Sequence, residues 1–233
     1  LDIIDNSIDA NAKKIDLWII SDDDNSIKQI DVIDNGSGMD QATLNESIKL
    51  GSLLEKNETH DLGKFGMGLV TSSISLGRSL RVLTKKSNVK NFDCYEAIQD
   101  LDIIARENKF IKTLATKQCP NEIYLMGEMN EELSVWRSKY NNAELADQSG
   151  TIVSIEKIDK CEHARADKLA EKMQRIIGQT YRKFIQEKNI KFKIFVNKES
   201  SLERRYDSRS DLTLYVKAID PINDFDATLL NSA

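Results

Sequence analysis

Leu1-Asp2-Ile3-Ile4-Asp5-Asn6-Ser7-Ile8-Asp9-Ala10 opens the chain, and this stretch, read with two glycine loops downstream of it, decides the fold. The pattern predicts a helix running to about Ala12. Asp2 and Asn6 stand four residues apart and project from one face, and Asp9, three further on, extends the polar strip. Ile3, Ile4 and Ile8 lie mainly elsewhere on the helix. Carboxylate and carboxamide oxygens on one face suit Mg²⁺, which prefers oxygen and keeps several waters. A carboxylate there can also orient or deprotonate a water. A helix terminus carrying solvated acids fits the same ten residues.

Six of the ten glycines fall between Gly36 and Gly68, so backbone freedom is concentrated in one stretch. The first loop, Asp34-Asn35-Gly36-Ser37-Gly38-Met39, directly follows an apolar strand. An aspartate so placed can accept a hydrogen bond from an amine such as adenine N6, while the glycines let a base lie against the main chain. Asp-Asn-Gly is equally common turn chemistry. The second loop, Gly63-Lys64-Phe65-Gly66-Met67-Gly68, precedes a helix. Backbone N–H groups at a helix start form an anion site that glycines open to phosphate. Its spacing is neither the P-loop GxxxxGK[ST] nor the dinucleotide fingerprint GxGxxG.

Acid-x-x-x-Asn on a helix, DxGxG after a strand and GxxGxG before a helix, in that order, resemble the N, G1 and G2 boxes of the gyrase, Hsp90, histidine-kinase and MutL (GHKL) ATPases. Gly150-Thr151-Ile152-Val153 is similar to the family's late Gly-Thr strand. The resemblance implies an α+β fold of the Bergerat type: a mixed, mostly antiparallel sheet with helices on one face and an ATP lid. It implies ATP and Mg²⁺ as ligands. Asn6 would contact the metal, with Asp9 beside it. Asp34 would accept from adenine N6, helped by Thr151, and Gly36, Gly38 and Met39 would line the base pocket. Gly63, Lys64, Phe65, Gly66, Met67 and Gly68 would wrap the triphosphate under a lid at Ser52–Asp61. Asp2 stands where the family usually has its general-base glutamate, one methylene shorter.

The nearest resemblance is to Hsp90-like and MORC-like proteins, including bacterial ATPases; neither the MutL lid signature nor the gyrase phosphate signature is present. What it implies is slow hydrolysis, with lid closure driving conformational change or a nucleotide-dependent homodimer acting on DNA or a protein client. The alternatives are a nucleotide-sensing module without turnover, or a histidine-kinase catalytic domain. His60 and His163 read as surface residues, and no phospho-acceptor helix is visible.

The remaining chain sets bounds. At 233 residues, 40% hydrophobic and 30% charged, it can bury a real core. No apolar run is long enough to cross a bilayer, and no signal-peptide pattern is present, so a cytoplasmic protein without membrane contact is expected. The start at Leu1 without Met reads as a fragment. Cys94, Cys119 and Cys161 lack metal-site spacing and read as reduced thiols. The net charge of −5 argues against an overall field that grips nucleic acid, although nine basic against three acidic residues between Arg165 and Lys193 leave room for a local basic surface.

Alternation predicts strands at Lys14–Ser21, Ile27–Asp34, Ser79–Lys85, Thr151–Lys157, Phe192–Val196 and Leu212–Val216. The first of these reads as having one buried face. Helices are predicted at about Gln41–Lys49, at Asp93–Arg106, and from Ala164 to Lys188 as one continuous element. Residues 1–160 read as the ATP-binding domain, with 88–149 as a possible insertion. Residues 161–233 read as its end or as the start of a transducer-like domain.

Overall fold

The computed structural model describes residues 1–49, 68–86, 93–108, 112–118, 149–159, 161, 165–198 and 211–221. In chain order the elements are α1 (Asp2–Asp9), β1 (Lys14–Ser21), β2 (Ile27–Asp34), α2 (Gln41–Ser47), α3 (Gly68–Leu76) and β3 (Gly77–Lys85). Then follow β4 (Asp93–Asp100), α4 (Leu101–Glu107), β5 (Lys112–Gln118) and β6 (Gly150–Ile158). The last are α5 (Ala166–Thr180), α6 (Arg182–Glu187), β7 (Lys191–Lys198) and β8 (Leu212–Tyr215).

The eight strands form one sheet in the order β5-β4-β3-β6-β2-β1-β7-β8. Every neighbouring pair is antiparallel except β1 with β7, so the sheet is mixed and mostly antiparallel. The α+β class implied by the motifs is the one observed.

Helices α1, α2, α3 and α5 pack on one face. Ile4 and Ile8 of α1 join Ile15, Leu17, Ile19, Val32, Ala170 and Ile177 in the larger apolar cluster. Each such isoleucine, fully buried, stabilises the fold by about 1.5–3 kcal/mol. A smaller cluster joins Leu44 and Ile48 to Leu69, Val70, Leu80, Val82 and Val153. Val32 and Val153 are cross-strand partners, so the two clusters share this face. Asp40 caps α2 by accepting from the Thr43 N–H at 2.9 Å.

Several expectations need correction. Strand β1 is buried on both faces: β7 brings Phe195 into register with Trp18, and the rings stack with centroids 4.1 Å apart. Asp93–Asp100 is a strand, and only Leu101 onward is helical. Pairing with β3 overrides the local helical pattern there and sets Glu96 against Arg81. The long helix breaks at Tyr181, whose backbone leaves the helical region (φ −101°, ψ 19°). Cys94 is buried and disulfide-bonded, so it is not a reduced thiol, whereas Cys161 is free.

Candidate functional site

Helix α1 divides its polar residues between two directions. Asp2 is exposed and Asn6 and Asp9 are half-buried along one strip, while Ser7 is buried on the side of Ile4 and Ile8. The Ser7 hydroxyl lies 2.9 Å from Asp34 Oδ2 and donates to it. Asp34 ends β2 and is only 4% exposed. Its Oδ1 accepts from the Gly36 N–H at 2.8 Å.

Burial pushes the Asp34 carboxyl up to about 6, while the hydrogen bonds from Gly36, Ser7 and the Thr151 backbone pull the other way. Burial wins, because desolvating a carboxylate costs more than three donors return at this depth.

The loop after Asp34 is held from three sides. Asn35 Oδ1 accepts from the Lys13 and Lys14 N–H groups, each at 2.8 Å. Ser37 N–H donates to the Ala10 carbonyl at 2.9 Å, and Ser149 Oγ donates to the Gly36 carbonyl at 2.7 Å. Met39 N–H donates to Thr84 Oγ1 on β3 at 2.9 Å.

Gly38 sits at φ +66°, and a Cβ there would fall 1.8 Å from the Lys85 carbonyl oxygen. Glycine is therefore required at this position, both by conformation and by space. Thr84 Oγ1 lies 3.0 Å from Thr151 Oγ1, and Thr151 is the cross-strand partner of Asp34. Asp34, Gly36, Gly38, Met39 and Thr151 are thus gathered at one end of β2, β3 and β6.

At the other end of the site, α3 begins against α1. A Cβ on Gly68 would stand 3.1 Å from Asp2 Cβ and 3.5 Å from Asp2 Oδ2. The start of α3 therefore lies against Asp2. Gly63, Lys64, Phe65, Gly66 and Met67 lie outside the described residues, as does the expected lid at Ser52–Asp61.

Ser7 and Thr84 were not singled out from the sequence. Ser7 sits inside the Asp5–Ala10 motif, and its place between Ile4 and Ile8 on the buried side was the available signal. Thr84 carries no local signal, because its role comes from strand pairing.

No cluster of three or more potential His, Cys, Asp or Glu metal ligands occurs among the described residues. Asn6 with one acid would offer Mg²⁺ only part of its shell. That matches an ion whose remaining ligands are waters and substrate phosphates. No helix among the described residues is long and apolar enough to cross a membrane.

The family model for histidine kinase-, DNA gyrase B- and HSP90-like ATPases matches residues 1–131. Mouse ATPase MORC2B is 32% identical over 89 residues, covering 37% of this chain and 9% of that protein. Human ATPase MORC2 is 28% identical over 89 residues, with the same coverage of each. The match therefore spans less than a tenth of these relatives' length. Among solved structures, the Aquifex aeolicus MutL ATPase domain complexed with ADP superposes with a TM-score of 0.48 at 13% identity, over 94% of this chain and 62% of that one. The Francisella tularensis topoisomerase IV ATP-binding domain gives 0.47 at 15% identity, over 93% and 47%.

Proposed function

This chain belongs to the histidine kinase-, DNA gyrase B- and HSP90-like ATPases, and from that premise we propose that it holds ATP with Mg²⁺ between α1, α3 and the Asp34 end of the sheet, and hydrolyses it slowly. The observation that carries this reading is Asp34. Keeping a carboxyl at 4% exposure is unfavourable for folding, so its position needs another reason. An amino donor such as adenine N6 would supply one. Ser7 and Gly36 fix the carboxyl plane, Thr151 and Thr84 continue the polar edge, and Gly38 and Met39 would line the base pocket beside them.

The phosphates would then lie toward Gly68 and the segment 63–67, over the strip of α1. Asn6 would hold Mg²⁺ with Asp9 nearby, and the metal would supply charge neutralisation at the phosphate oxygens. Asp2 would orient the attacking water and accept its proton, from a position where the start of α3 confines it. Residues 161–198 would belong to the same ATP-binding unit. Closure of 52–61 over the nucleotide would drive conformational change or dimerisation, with DNA or a protein client as the object acted on. A module that senses nucleotide without hydrolysis is the competing reading.

The test is a calorimetric titration of the chain with ADP and with a non-hydrolysable ATP analogue, with and without Mg²⁺, using Asp34→Asn as control. Binding that depends on Asp34 is the expected result. Equal heats from both proteins, or none from either, would refute the assignment of the site.

A further inference from the structure

Tyr181 is buried at the break between α5 and α6, 2% exposed, yet its hydroxyl reaches the motif helix. It donates to Asp5 Oδ1 at 2.6 Å and lies 3.4 Å from the Leu1 carbonyl. We propose that Tyr181 is a positioning residue: through Asp5 it sets the rotation of α1 and so aims Asn6 and Asp2 at the phosphate end. This rests on the nucleotide reading above.

Helix α1 has eight residues and no side-chain cap at its N-terminus, so it is too short to hold its own geometry. Ile4 and Ile8 anchor it to the core, but apolar burial is non-directional and leaves rotation about the axis weakly specified. Only directional contacts fix that angle. Ser7 to Asp34 is one of them, and Tyr181 to Asp5 is another on a different side of the helix. Asp5 is adjacent to Asn6 and one turn from both Asp2 and Asp9, so clamping Asp5 clamps the strip.

The clamp is itself rigid. The Tyr181 ring stacks on Phe192 at 5.7 Å and meets Phe184 edge-on at 6.3 Å. The helix behind it is gripped by the segment after β8. Ile219 N–H donates to the Gly178 carbonyl at 3.0 Å, and a Cβ on Gly178 would come within 2.5 Å of the Lys217 carbonyl oxygen. Arg182 pairs with Asp220 at 3.4 Å.

The chemistry of the donor also fits. Burial first, then the hydrogen bond to Asp5 and the charges of Asp5, Asp2 and Asp9, push the Tyr181 phenol well above its ordinary value. It therefore stays protonated and donates at every working pH. A lysine would bring a full positive charge to the strip; the neutral phenol orients it without one.

The experiment uses the 233-residue chain as wild type, Tyr181→Phe and Asp5→Asn. Phenylalanine keeps the ring contacts and removes only the hydroxyl, whereas asparagine keeps an acceptor for it. In the ligand-free chain, Tyr181→Phe is expected to speed amide exchange in α1 about tenfold, with β1 and β7 unchanged and Asp5→Asn close to wild type. Affinity for ADP without metal should hold, while the Mg²⁺-dependent gain in affinity for the ATP analogue should fall about tenfold. Unchanged exchange in α1, or a rise shared equally by β1 and β7, would overturn the proposal. So would loss of ADP affinity in step with the Mg²⁺-dependent gain. If α1 loosens in Tyr181→Phe but wild type binds no nucleotide, the nucleotide reading falls and the clamp on α1 stands.

Discussion

The two ends of the candidate site are built differently. At the Asp34 end the polar groups are buried and bonded within the protein: Ser7 and Gly36 to Asp34, Met39 to Thr84, Thr84 beside Thr151. At the Asp2 end the carboxylate is exposed, Asn6 and Asp9 are half-buried, and the rest of the glycine loop precedes the first residue of α3. One end is finished before any ligand arrives. The other sets the exposed Asp2 against the first residue of α3. On the nucleotide reading proposed above, the buried end would take the base and the exposed end the phosphates.

The sharpest break in this comparison is a variant that fails at one end only. Asp2→Asn should lower turnover by roughly 10²–10⁴-fold, the usual worth of a positioned base, and leave ADP affinity unchanged. Steady-state hydrolysis alongside calorimetry reads both. Gly38→Ala acts on the finished end as structure, since its Cβ would collide with the Lys85 carbonyl in a left-handed conformation. A loss of about 3 kcal/mol or more is expected in a denaturant titration. Asp34→Asn should reduce ADP affinity by about 10–100-fold while preserving the fold.

Acid should separate affinity from stability. The Asp34 carboxyl, raised to about 6, is protonated below that pH and becomes a poorer acceptor for an amino donor. ADP affinity should therefore drop by up to about tenfold per pH unit below 6, with proton release on binding near that pH, and Asp34→Asn should flatten the profile. The ligand-free chain should move the opposite way. The folded Asp34 keeps a proton that the unfolded chain gives up between about pH 4 and 6, so its contribution to stability grows as pH falls through 6. Asp16, raised to about 6 chiefly by burial, adds in the same direction. Thermal unfolding from pH 7 to 5 with and without ADP would show the divergence. The smallest effect expected is Thr84→Val, about 1 kcal/mol of stability for the bond from Met39, with little change in turnover.

Local features of both ends were legible in sequence; the bonds between them were not. Asp34 and Gly38 announce themselves because a strand running into Asp-Asn-Gly-Ser-Gly needs glycine's backbone freedom, and Asp2 with Asn6 follow from helical spacing alone. The bounds of β1 and β2 were readable because alternation and a turn frame them. Ser7 meeting Asp34, and Thr84 meeting Thr151, depend on strand register, which no window of ten residues contains. The same limit explains Asp93–Asp100, where apolar spacing looks helical and cross-strand pairing decides otherwise. The helix break at Tyr181 likewise falls where the chain meets distant partners, Asp5 and the segment after β8.

The parallel pairing of β1 with β7 sets an order of events as the chain leaves the ribosome. Lys14 finds its partner only at Lys191, so the strand beneath the motif helix is synthesised long before β7 and keeps a free edge until β7 emerges. Such long-range closure is slow, and an open edge invites the wrong neighbour. A nascent chain stalled before β7 would carry both glycine loops but leave β1 half paired.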